Sequence, residues 1–286
     1  MDGMLLAMAA ILAASRVSRG CVAILPAVSI EALPFVNWIF WAALGAGTLL
    51  VVGMAEVAGG TTTGYRLLMA WLVLACAAVL LISDLNLPGD AAAAATGALR
   101  RPLVVAFAVG SLAYVVASHL RRPRAWLAVA TGVVGLLALA VLALAGGTRA
   151  PALFAAQLLI TALAVGAVNA AMLLGHWYLV TPKLSPAPLR RMMWLHGGTL
   201  VVQGLAFAIG LLLVGTDPLR GDIAWLTWLR LGVGILLPIG ITVLAYLASR
   251  ASSLQASTGL LYVGLALVMA GSIAGASLSY LTGVPV

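Results

Sequence analysis

VNAAMLLGHWYLVTPKLSPAPLRRMMWLHGGTLVVQG, residues 168–204, is the stretch on which the fold turns. It holds the end of one apolar helix, a short basic and proline-rich connection, and the start of a second apolar helix. An apolar run that doubles back within a few residues reads as an antiparallel helical hairpin. His176 follows Asn169 by seven residues, and His196 precedes Gln203 by seven. Seven residues is close to two helical turns, so each pair shares a helix face, with the amide roughly 10 Å deeper than the imidazole. The two imidazoles are therefore expected on one side of a membrane, at similar depth, above a polar pocket shaped by Asn169 and Gln203.

The rest of the chain fits that reading. Mean hydropathy is +1.18, with 64% apolar and 8% charged residues, which excludes an ordinary soluble domain. Apolar runs of about twenty residues, long enough to cross ~30 Å of hydrocarbon, recur along the whole length. The fold class is an all-α polytopic transmembrane bundle. Eight spans are expected at about 35–59, 64–86, 101–122, 124–148, 152–180, 189–215, 223–249 and 253–280. With short connections and no linker, residues 1–286 read as one integral membrane domain. The apolar part of the first twenty residues is too short to span, and its arginines follow it where a secretory signal would carry them in front. Residues 4–26 are read as an interfacial helix, with a ninth span as the alternative. Residues 87–100 read as a small-residue loop without chemistry.

The net charge of +8 comes from fourteen arginines and one lysine, nearly all at helix ends. Such residues anchor helices at headgroups and set topology, so the basicity points to a lipid bilayer and away from nucleic acid. The single lysine, Lys183, lies in a loop, which excludes a Schiff base buried in a late helix. Cys21 and Cys76 have no redox spacing. The side that holds the 176–196 connection, here side A, carries eight basic residues against six on side B. By the positive-inside rule side A is expected in the cytoplasm, in a bacterial inner membrane. Trp38, Trp41, Trp225 and Trp228 fall at side B, and Trp71, Trp126, Trp177 and Trp194 at side A, as two aromatic belts.

Alternation of the spans also brings His119 to side A. Three neutral imidazoles on one side could ligate haem iron, hold a metal or take a quinol proton. They could equally be interfacial residues reaching headgroups. Asn169 and Gln203 need buried partners, and each could serve as the other's. Tyr178 and Trp177 could wall the pocket, and Arg190 and Arg191 could meet haem propionates or lipid phosphates. Glu56, the only acid on side A, is a candidate proton acceptor or a partner for Arg66. Arg230, inside the seventh span, is expected to snorkel out or to pair with Asp217 or Asp222. Pro238, between Gly234 and Gly240, marks the one candidate helix break. Signatures for hydrolysis, zinc proteolysis, prenyl transfer or nucleotide binding are missing, as is the one-helix bis-histidine spacing of the large cytochromes b.

ALGAGTLLV (43–51), the basic turn before RLLMAW (66–71) and LLISDLNLP (80–88) together resemble the opening of the polysulfide-reductase membrane-subunit (NrfD/PsrC) family. The resemblance covers residues 33–88 only. It implies a bundle of eight or more helices that binds quinol and works with an iron–sulfur partner, with Asp84 as the acid ending the second helix. Asn86-Leu87-Pro88 departs from the family's Gly-Arg-Pro. The function expected is thus a membrane subunit of an electron-transfer complex, handling a quinone or a haem b near side A. The alternatives are a transporter of a small or lipidic solute, and a structural or assembly subunit of a membrane complex.

Overall fold

The computed structural model describes residues 32–87, 91–120, 125–144, 150–181 and 184–284. They form eight helices long and apolar enough to cross a membrane: α1 (Ala32–Val57), α2 (Thr63–Leu85), α3 (Ala91–His119), α4 (Ala125–Leu144), α5 (Pro151–Val180), α6 (Ala187–Val214), α7 (Ala224–Arg250) and α8 (Leu254–Thr282). No strand occurs among the described residues. The all-α bundle expected from the sequence is what the chain forms, with span ends shifted by a few residues. Residues 4–26 lie outside the described residues.

The bundle is built around α5. The most apolar window of α5 is 78% buried and that of α1 72%, against 28–44% for the other six helices. Hydropathy does not mark the centre, since α4 is more apolar than either, at 2.6 against 2.1 and 1.8. Between helices in lipid there is little hydrophobic drive, so close packing of small residues decides which helix others gather on. Gly47 on α1 and Gly166 on α5 meet backbone to backbone: a Cβ on Gly47 would collide with the Ala162 carbonyl, and one on Gly166 with the Gly47 peptide. On other faces of α5, α2 reaches in through the Tyr65 hydroxyl, which donates to the Ala170 carbonyl at 2.9 Å. Large apolar side chains such as Ile82, Val109, Leu212 and Leu213 point outward, as contact with a lipid bilayer requires.

Two sequence expectations change here. The 87–100 segment is largely helical, because α3 begins at Ala91. The run AAAAA (91–95) has the highest helix propensity available, and the helix continues through Pro102. The segment also carries chemistry, since Arg100 pairs with Asp84. In α7, Pro238 does not break the helix; residues Leu229–Leu236 widen into a π-helical turn just ahead of it, closed by the Leu237 N–H donating to the Gly232 carbonyl. A proline ring crowds the carbonyl four residues earlier, here Gly234, and a widened turn accommodates it. The aromatic belts are only partly kept. Trp71, Trp126, Trp194, Trp225 and Trp228 are exposed, while Trp38 is fully buried.

Candidate functional site

A seam of polar side chains runs through the bundle between α5 and α6 and ends on Arg230 of α7. Its first member is His196, fully buried, with Nδ1 3.0 Å from the Ala164 carbonyl. A carbonyl only accepts, so Nδ1 carries the proton and Nε2 presents a lone pair. That Nε2 has no partner among the described residues. About two turns further along α6 comes Gln203. With its amide oxygen turned toward Arg230, Gln203 accepts from both terminal guanidinium nitrogens, at 3.0 and 2.5 Å, and from the Thr161 hydroxyl at 2.6 Å. The Thr161 oxygen in turn accepts from Arg230 Nη2 at 3.0 Å, and the Gly271 carbonyl accepts from Nη1 at 3.3 Å. This orientation follows from the donor inventory, since an amide nitrogen there would face only other donors. Gln157, one turn of α5 beyond Thr161, donates to the Ala206 carbonyl at 3.3 Å and continues the seam toward side B.

Arg230 is 4% exposed and touches no carboxylate among the described residues, which corrects the expected pairing with Asp217 or Asp222. The π-helical turn holds it inward, and α8 makes room for it. Gly271 packs its backbone against Gly234, and a Cβ on Gly275 would lie 3.0 Å from Arg230 Nε. The Gly271/Gly275 spacing, legible as a packing motif, is thus also the slot for a buried guanidinium. The signal in the sequence was a charge well inside an apolar span with a glycine pair on the next helix.

The histidines do not gather. His176 is exposed and its Nδ1 lies 3.3 Å from the Tyr262 hydroxyl of α8; His119 is exposed and accepts from Trp71 Nε1 at 3.2 Å. His196 faces into the bundle, away from both. The face shared by Asn169 and His176 is buried at its inner end and open at its outer end. Asn169 donates to Thr48 of α1 at 3.0 Å, so the two amides hold different neighbours and not each other. Tyr178 is buried, and its hydroxyl has no partner among the described residues. Arg190 donates to the side chain and carbonyl of Ser249, at 3.0 and 2.7 Å, and Arg191 to the Ala58 carbonyl at 3.1 Å. These two arginines tie the start of α6 to the ends of α7 and α1. Glu56 is held by Arg66 at 3.2 Å and by the Tyr114 hydroxyl at 2.9 Å, with no partner for Oε2 among the described residues.

Asp84 is the second buried charge centre. Its carboxylate meets Arg100 Nε at 2.7 Å and accepts from Trp38 Nε1 at 2.9 Å, and the Arg100 guanidinium lies 5.8 Å over the Trp38 ring. Arg100 also donates to Thr96 at 2.8 Å, and the exposed Arg101 stands 3.6 Å from the other carboxylate oxygen. Every group faces another here, so this centre reads as a lock between α1, α2 and α3.

Two cavities open on the bundle surface toward side A. One of about 310 Å³ lies between α6 and α7, walled by Met193, Trp194, Gly197, Ile239, Thr242 and Tyr246. The other, of about 170 Å³, lies between the end of α1 and the start of α6 and includes Arg191. Neither is lined by a histidine. Among the described residues no three His, Cys, Asp or Glu side chains stand together as a metal site. No protein-family model, curated protein or solved structure matches the chain.

Proposed function

We propose that this chain is the membrane subunit of a quinone-linked electron-transfer complex, with His196 as the buried acceptor of a quinol proton. The observation that carries this reading is the unsatisfied Nε2 of His196 in a fully buried imidazole whose other nitrogen is already fixed. A quinol hydroxyl is the kind of donor that nitrogen lacks. The α6/α7 groove has a volume suited to a small ring and an aromatic wall at Trp194 and Tyr246, and it passes one residue from His196, at Gly197, without being lined by the imidazole. The likeness of residues 33–88 to quinol-binding membrane subunits points the same way. Electrons would be carried by partner subunits. Side A, richer in Arg and Lys, would face the cytoplasm of a bacterial cell.

Haem b fits these residues less well. Ligation by two histidines needs both imidazoles on one plate. His196 faces the interior of the bundle, while His176 and His119 are turned outward onto Tyr262 and Trp71. The test is one preparation of purified protein, read by oxidised-minus-reduced absorption and by solvent extraction. Quinone extracted from the wild type and diminished in His196→Phe supports the reading. A Soret band, or quinone content indifferent to His196, defeats it.

A solute transporter is the second reading, favoured by the π-helical turn ahead of Pro238 with a charged side chain held inside it. Substrate-dependent uptake into proteoliposomes that is lost in Pro238→Ala would select it over the first.

A further inference from the structure

α1 and α6 both pack on α5, α1 through Gly47 against Gly166 and α6 through the His196 imidazole on the Ala164 carbonyl. At the side A end the two helices are also tied to each other. Arg191, near the start of α6, donates from Nη1 to the carbonyl of Ala58, just past the end of α1, at 3.1 Å. Gly60 follows so close to Pro188 that a Cβ on it would stand 2.6 Å from the proline ring. Beside this tie a groove of about 170 Å³ opens between the two helices.

The groove changes character with depth. Ala58, Pro188 and Arg191 line it at the helix ends, Ala55 and Leu195 about one turn deeper, and Val51 about two turns deeper. The lining positions recur every three or four residues, so one face of each helix forms a wall. Roughly 10 Å of apolar trough therefore lies below a guanidinium. Arg191 is exposed, and its bond to Ala58 uses one of its five N–H groups. An unfilled apolar trough forfeits dispersion contacts and stays dry, so in a bilayer a lipid chain is what fills it.

We propose that the α1/α6 groove is a binding site for an anionic phospholipid, with one acyl chain in the trough and the headgroup phosphate on Arg191. A guanidinium meets phosphate oxygens two at a time, and basic residues between spanning helices suit an acidic headgroup. Charge decides between lipids. Side A carries eight basic residues, and its acid, Glu56, is already held by Arg66 at 3.2 Å. A headgroup of net negative charge meets that rim more favourably than a zwitterionic one. Bound there, the lipid touches α1 and α6 at once and stabilises their contact. The quinone reading uses a different groove, between α6 and α7, so either can fail without the other.

The experiment is a melting titration of the purified full chain in detergent, with dioleoyl phosphatidylglycerol or dioleoyl phosphatidylcholine added at matched lipid fractions. A saturable rise in Tm of roughly 2–4 °C is expected with phosphatidylglycerol, and less than half of it with phosphatidylcholine. Glycerol phosphate, an acidic head without chains, should leave Tm unchanged at equal concentration. Arg191→Gln should raise the half-saturating fraction of phosphatidylglycerol at least several-fold. Arg250→Gln, which removes an exposed arginine of side A outside the groove, should not. Should Arg191→Gln fail to fold, Ala55→Phe, which fills the trough and keeps the charge, should weaken the response as much. An absent or non-saturable shift, equal responses to the two lipids, or a shift with glycerol phosphate alone overturns the proposal. So do equal losses in Arg191→Gln and Arg250→Gln, or an undiminished response in Ala55→Phe.

Discussion

Asp84 on α2 and Arg100 on α3 form an ion pair of 2.7 Å in which each side chain is 1% exposed. Trp38 of α1 donates to the same carboxylate oxygen. One acid thus joins three helices, and removing it strands a guanidinium where water does not reach. Asp84→Asn should cost about 3–5 kcal/mol of stability, seen as a lower Tm in detergent. The double change Asp84→Leu with Arg100→Met should cost less than the single one, because no unpaired charge is left behind. A double variant less stable than Asp84→Asn would mean that the pair itself holds the three helices together.

The contact of Gly47 with Gly166 makes a sharper prediction. A side chain on either needs space that the facing backbone occupies, so Gly47→Val or Gly166→Val should separate α1 from α5 and abolish recovery of folded protein. Gly259→Ala on α8 is the control, because nothing lies within 4 Å of its Cβ position. That change should leave stability equal or raise it by up to about 1 kcal/mol. Size-exclusion profiles in detergent separate the two outcomes, and equal behaviour of both would place the packing elsewhere.

The three histidines should differ in kind. His119 and His176 are exposed, and replacing either with alanine should change stability by no more than about 0.5 kcal/mol. His196→Ala empties a fully buried position and strips the Ala164 carbonyl of its donor, for a loss of about 1–3 kcal/mol or more. Melting curves of the three variants in one detergent decide this. A large effect at His176 would revive the pocket at the side A rim.

Hydropathy alone yields the eight helices, because in a bilayer every backbone polar group must be satisfied within its own segment. The alignment of His196 with Gln203 is equally legible, since it needs only the helical period. Which helix is central is not, because lipid-facing and buried residues are alike apolar; the decisive contacts are glycine pairs such as Gly47 with Gly166, 119 positions apart by subtraction of their numbers. The fate of Arg230 is hidden for a related reason. Its acceptors come from α5, α6 and α8, and none of the three, Gln203, Thr161 or the Gly271 carbonyl, carries a charge that a sequence scan would pair with it. The partner of Asp84 is hidden because Arg100 sits in an alanine-rich stretch that looks like a loop until helix propensity is weighed.

Gln203 offers the closest test of the seam. Gln203→Leu removes the acceptor shared by both terminal nitrogens of Arg230, which should cost about 1–3 kcal/mol, with the charge of the partner favouring the upper end. Gln203→Glu places a carboxylate at the same reach and supplies the counterion that the described residues lack. Its Tm should therefore exceed that of Gln203→Leu and stand near the wild type. Asp217→Asn and Asp222→Asn should leave Tm unchanged within about 0.5 kcal/mol, since Arg230 reaches neither. Were either aspartate as costly to lose as Gln203, the charge of Arg230 would be balanced from side B.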